Sequence, residues 1–349
     1  MCSSMPNIAV QHFSHRQKTF RSQMIVMSPA EQKHRFRVII SFAALYVLWG
    51  STYLAMRVAV RDVPPYVLGT ARYLIAGPIM LAVCALMGKK IRINRQDFVR
   101  LLTIGVLLLS IGNMGVVWGE VYVASGMTAL IVAIVPIWVV AIQAWVFKSG
   151  RLQTKGLLGL AMGIGGLLVL LWPKIASGSH MGRLELLGTG ILAVASLAWA
   201  FGSVLSGRWS LSVDVFTSAA WQMTLAGLVN AAVAGLTGQF HHAVWTAPAI
   251  TGILYLVVAG SWMGFTSYIW LLEHVATTKV STYAYVNPIV AVFLGWILLR
   301  EQVDAFMLVG TVIIIASVAL VNTSKVKKMR AEEPSLQEPE IATANVGGD

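Results

Sequence analysis

Apolar residues in this chain fall in long runs separated by short polar stretches, from about residue 37 to residue 322. The runs lie at about 37–57, 64–87, 101–119, 125–147, 156–173, 187–206, 215–236, 248–272, 279–299 and 304–322. Roughly 20 apolar residues cross ~30 Å of hydrocarbon as a helix. The pattern therefore predicts an all-α membrane protein with ten transmembrane helices. The sixth and seventh runs are the weakest, broken by small and polar residues, so eight or nine crossings is the alternative count.

The ten-run reading is favoured by an internal duplication. Gly126 to Phe147 reads GMTALIVAIVPIWVVAIQAWVF and Val280 to Leu299 reads VSTYAYVNPIVAVFLGWILL. Aligning Pro136 with Pro288 gives an offset of 152, and LWGS at Trp49 answers AWAFGS at Trp199 at an offset of 150. A self-match near half the chain length indicates two repeats. Repeat 1 is expected over 37–173 and repeat 2 over 187–322, five helices each.

Charge then orients the helices. With the N-terminus cytoplasmic, 20 of the 26 Lys and Arg residues fall in inside segments and five in outside loops; Arg72 lies within a run. That bias follows the positive-inside rule and puts both termini in the cytoplasm. Five helices per repeat force the second repeat to enter from the opposite face, so the architecture expected is two inverted five-helix repeats. Residues 1–36 carry cations but no apolar core of a signal peptide. They are expected to be a disordered cytoplasmic extension, with Met24 and Met27 as alternative starts; 323–349 is expected to be a disordered cytoplasmic tail.

Composition narrows the function. The chain is 57% hydrophobic and 11% charged, against about 25% charged in soluble domains. Its net charge of +12 lies in loops facing anionic lipid and calls for no nucleic-acid partner. Cys2 and Cys84 make no disulfide framework. No G-x-x-x-x-G-K-[ST] is present, the glycines at 163–166 fit no dinucleotide loop, and His241–His242 lack further ligands. No cofactor or metal is expected, and Gly159 and Gly163 read as a helix-packing spacing.

Several segments resemble the EamA family of the drug/metabolite transporter superfamily: LYVLWGSTYLAMR at 45–57, PPYVLGTARYLIAG at 64–77, SGMTALIVAIVP at 125–136, LAWAFGSV at 197–204 and STYAYVNPIVAVFLGWILLRE at 281–301. Within that family the likeness is to its YedA-like branch. The resemblance covers about Arg35 to Thr323. It implies a ten-helix bacterial inner-membrane exporter of small metabolites, amino acids or drugs, and it leaves the substrate open.

Side chains at membrane depth supply the candidate site. Trp49 and Trp199 sit roughly 18 Å into their segments by helical rise, too deep for an interfacial belt, so they line a cavity or pack between helices. Tyr53 follows Trp49 by four residues and shares its face; Tyr283 and Asn287 stand in the same relation. With Asn113 and Tyr268 these are the expected substrate contacts, interhelical hydrogen bonding being the plain alternative. Pro136 and Pro288 interrupt their segments near mid-membrane and are expected hinges, or static kinks. Arg72 costs about 2.5–3.5 kcal/mol near the bilayer centre and needs a partner. Glu120 is the acid at a suitable depth, giving a charge pair with a role in proton coupling; snorkelling of Arg72 is the alternative. The expected partners are a small solute, the bilayer and a coupling proton. An intramembrane enzyme, or a sensor on a transporter fold, is the competing class.

Overall fold

The first helix begins where the sequence supplies a cap. In the computed structural model, which describes residues 28–123, 128, 131–148, 151–176, 183–299, 305–323 and 326–327, Ser28 and Glu31 form a reciprocal capping box with Pro29 in the first turn. Helix α1 therefore runs Pro29–Ala59, starting ahead of the expected boundary at 37. Part of the extension expected to be disordered is helix, because the cap outweighs the polar composition of its first turns. The remainder of that extension, Met24 and Met27 as alternative starts, and the tail beyond Lys327 lie outside the described residues.

The other long helices are α2 (Pro65–Leu86), α3 (Arg95–Tyr122), α4 (Val135–Val146), α5 (Thr154–Ala176), α6 (Arg183–Arg208), α7 (Val215–Leu236), α8 (Ala247–His274), α9 (Tyr283–Leu299) and α10 (Ala305–Thr323), with single turns at Gln239–His242 and Thr277–Val280. Among the described residues, six are long and apolar enough to cross a membrane: α1, α2, α3, α6 over Leu186–Arg208, α7 and α8. Shorter apolar stretches lie at Val135–Val146, Thr154–Val169 and Leu308–Val321. The only described strand pairing is two residues long, Arg151–Leu152 against Val326–Lys327.

Helix punctuation recurs between the halves. Helix α2 ends at Gly88 and α7 at Gly238, with φ of 70° and 69°, a left-handed backbone open to glycine at no steric cost. Asn94 caps α3 and Thr246 caps α8, each accepting from a backbone N–H three residues on. Both α3 and α8 contain a π-helical stretch, Val106–Asn113 and Leu256–Phe265.

Packing recurs as well. Helix α2 lies along α7, and α5 along α10; α1 packs on α8 and α9, while α6 packs on α3 and α4. Glycines permit the closest approaches. A side chain at Gly77 would run into Thr224 and the backbone of α7, and one at Gly159 or Gly163 into α10. Ser317 donates to the Gly159 carbonyl at 2.6 Å. The expected packing role of Gly159 and Gly163 is what the structure contains.

Loops clamp the α2–α7 pair at both ends. At one end the Asp97 carboxylate accepts from Ser212 Oγ at 2.5 Å, and Lys89 pairs with Asp214 at 2.9 Å. At the other, Val244 N–H donates to the Asp62 carbonyl and Tyr66 N–H to Gln239. Asp214 also caps α7. Partial burial alone would raise its carboxyl, but bonds from Lys89, Thr217 and the Phe216 N–H hold it below the usual carboxylate value. A lowered folded-state pKa stabilises the protein above the unfolded value, about 3.9, and that contribution is lost as pH falls through the lower folded value. Asp214→Asn is expected to flatten the acid limb of thermal stability below about pH 4 while costing only about 0.2–1 kcal/mol at neutral pH, since the cap survives and the ion pair is half-exposed. Thermal unfolding of purified protein against pH measures both.

Candidate functional site

Four aromatic rings from four helices meet inside the bundle. Trp49 of α1 lies 5.4 Å from Trp199 of α6, 5.0 Å from Tyr268 of α8 and 5.0 Å from Tyr283 of α9, centroid to centroid. The Trp49–Trp199 and Trp49–Tyr283 contacts are edge-on, the geometry favoured by opposed ring quadrupoles. Three of the polar tips have partners. Trp49 Nε1 donates to the Gly260 carbonyl at 3.2 Å, and Trp199 Nε1 to the Tyr268 hydroxyl at 3.0 Å. The Tyr268 hydroxyl also meets Ser203.

Three of these rings, Trp49, Trp199 and Tyr283, form one wall of a narrow cavity with about 50 Å³ of free space. Trp49, Tyr53, Asn113, Trp199, Tyr283 and Asn287 all line it, so six of the seven expected substrate contacts come together. The seventh, Tyr268, is fully buried and absent from the lining. That expectation is corrected: Tyr268 braces the three cavity-facing rings from behind.

Arg72 also lines the cavity, but not with its expected partner. Its Nε donates to Ser261 Oγ at 2.9 Å and its Nη1 to Asn113 Oδ1 at 3.3 Å. Tyr73 OH donates to the same Asn113 oxygen at 2.8 Å. Glu120 follows Asn113 by seven residues on α3, roughly 10.5 Å further along the axis, which puts it out of reach. The expected Arg72–Glu120 pair is therefore not formed. Glu120 lies within electrostatic reach of Arg57 and Tyr53 instead, and its Oε2 has no hydrogen-bond partner.

The prolines differ from one another. Pro136 sits in the first turn of α4, after a turn at Ala133–Ile134, rather than inside a helix as expected. A proline there forfeits no helical hydrogen bond. Pro288 lies within α9; the chain breaks ahead of it, at Ser281–Thr282. Both prolines are buried.

Sequence reasoning missed Tyr73, Thr52 and Ser196, which also line the cavity. Tyr73 carried a signal, being an aromatic hydroxyl adjacent to a mid-membrane arginine. Thr52 and Ser196 carried none, since each resembles any small polar residue that bonds back to its own helix.

Comparison with known proteins places this architecture. Residues 37–172 and again 186–323 match the EamA-like transporter family. The uncharacterized inner membrane transporter YedA of Escherichia coli (strain K12) is 33% identical over 300 residues, covering 83% of this chain and 94% of that protein. The uncharacterized transporter YoaV of Bacillus subtilis (strain 168) is 24% identical over 279 residues, covering 80% and 94%. Protein PecM of Dickeya dadantii (strain 3937) is 26% identical over 294 residues, covering 82% and 94%. A crystal structure at 18% identity superposes with a TM-score of 0.68 over 81% of this chain and 95% of the other, a likeness of fold.

Proposed function

This chain belongs to the EamA-like transporter family, and from that premise we propose a secondary transporter that exports small solutes by alternating access. The observation that carries the reading is the aromatic cavity at the junction of the two matched stretches. Trp49 and Tyr53 come from the first and Trp199 and Tyr283 from the second, so relative motion of the halves changes access to it.

The proposed topology is ten helices in two inverted repeats, with both termini on the cytoplasmic side of a bacterial inner membrane. Three features support it. The α2–α3 and α6–α7 loops bond to each other at one end of the bundle through Lys90 and Ser212, and the α1–α2 and α7–α8 loops at the other through Val244 and Asp62. Helix caps, positive-φ glycines and π stretches recur between the halves. The cation bias assigns the first end to the cytoplasm. Reporter fusions after Arg95 are expected to read cytoplasmic and those after Gln239 periplasmic; a reversed result at either sinks the inverted arrangement.

Pro136, directly after the turn at Ala133–Ile134, and Pro288, within α9 and six residues past the turn at Ser281–Thr282, are proposed as hinges beside the cavity. Flux of small neutral, zwitterionic and amphipathic solutes through the purified protein in liposomes, with and without a pH gradient, tests transport directly. No flux of any solute under either condition would overturn it.

A further inference from the structure

Arg72 is 4% exposed, lines the cavity, and has no carboxylate partner among the described residues. A buried charge needs a counter-charge or a full set of hydrogen bonds. The guanidinium has five N–H donors. Nε and Nη1 are directed at two neutral acceptors, Ser261 and Asn113. The Nη2 end rests on Gly260, where a side chain would press on it.

A second polar group in the same cavity lacks a partner. Asn287 is 2% exposed, and its Oδ1 accepts no hydrogen bond. The rest of the lining is mostly apolar or aromatic, with Met56, Leu109, Val116, Val132, Val135 and Phe265 among it and Thr52 and Ser196 as small polar members.

Resting on the transport reading above, we infer that Arg72 is the anion-recognition residue of the cavity and that the substrates are small monocarboxylates with a flat apolar body. A carboxylate matches the planar donor fork of a guanidinium, and it supplies the charge that the protein does not. One cation in apolar walls disfavours solutes of higher negative charge, whose second charge would be buried uncompensated. A cation would meet like charge in a medium of low dielectric. Asn287 accepts from a hydroxyl or N–H on the same solute.

The test uses probes with one common phenyl body: phenylacetate, 2-phenylethanol and phenethylamine, titrated into the purified full-length protein by calorimetry. Phenylacetate is expected to bind at least about tenfold more tightly than either other probe, a difference of ~1.4 kcal/mol. Equal affinity for phenethylamine and phenylacetate, or no binding of phenylacetate at millimolar concentration, overturns the inference whatever any variant does. Arg72→Gln keeps a donor for Ser261 or Asn113 but removes the charge. It should lose phenylacetate binding and leave 2-phenylethanol unchanged. If Arg72 only pins α2 to α3 and α8, Arg72→Gln shifts thermal stability and alters both probes alike, which overturns the assignment. Should that variant fail to fold, Gly260→Ala retains the charge while displacing its Nη2 end, and weakened phenylacetate binding is expected there. Phenyllactate, which adds a hydroxyl, should bind more tightly than phenylacetate, with Asn287→Ala erasing the gain; no gain overturns the part given to Asn287. Phenylacetate binding without movement across liposomes would leave the anion site standing and remove the transport reading. Flux of neutral solutes with no selectivity for carboxylates would do the reverse.

Discussion

Trp49→Ala is expected to abolish flux and to destabilise the bundle by about 3–5 kcal/mol, the range for removing a large buried aromatic. The indole touches Trp199, Tyr268 and Tyr283 and bonds the Gly260 carbonyl. Its loss leaves three rings without a common neighbour and one carbonyl without its donor. Trp49→Phe separates the two roles. It keeps a ring in the cluster and removes the N–H, so it should fold with a smaller loss, about 1–3 kcal/mol for the orphaned carbonyl, and carry reduced flux. Flux per folded molecule, with abundance and thermal unfolding measured in parallel, decides the point. Normal flux in a folded Trp49→Phe would assign Trp49 to packing alone. Tyr268→Phe provides the contrast. It removes the acceptor for Trp199 and the contact to Ser203 without touching the cavity surface. It should lower stability more than it changes solute selectivity.

Glu120→Gln is the second large expected effect. Glu120 lies near Arg57 and Tyr53, and its Oε2 lacks a hydrogen-bond partner. An ionisable residue in a membrane segment defaults to a functional reading. If Glu120 carries the coupling proton, Glu120→Gln should abolish gradient-driven accumulation while leaving solute exchange intact. Full accumulation by the variant would remove the proton role. The geometry also sets the outcome of a double-mutant cycle between Arg72 and Glu120. With roughly 10.5 Å of helix between Asn113 and Glu120, single effects should add within about 0.5 kcal/mol. Arg72 and Asn113, in direct contact, should couple beyond that.

Most of the architecture was legible in the order of residues, because the signals that carry it are local. Run length against bilayer thickness gives crossing segments, and capping or left-handed residues such as Asn94, Gly88 and Gly238 mark their ends within one turn. The recurrence of Trp49 at Trp199 and Pro136 at Pro288 exposed the duplication. The depth of Trp49 and Trp199, too great for an interfacial belt, left cavity lining or packing between helices as their role, and the structure has both in the lining. The early start of α1 was equally local, being written in Ser28 and Glu31; overall polarity masked it.

What the tertiary structure alone decided is which side chains face one another. Helical facing depends on the rotation of each helix, and a π stretch changes that rotation partway along. Residues after Val106–Asn113 and Leu256–Phe265 do not point where a 3.6-residue period puts them. Tyr268 stands behind the aromatic wall rather than in it. Partner choice for Arg72 is a matter of axial position across three helices: Ser261 and Asn113 lie level with it, while Glu120 is two turns further along. Depth along a single helix follows from counting residues, but the relative height of neighbouring helices is set by packing such as that at Gly77 and Gly227 between α2 and α7. Sequence therefore determined the segments, their repetition and the chemistry available at membrane depth. Packing determined which of those groups share a cavity.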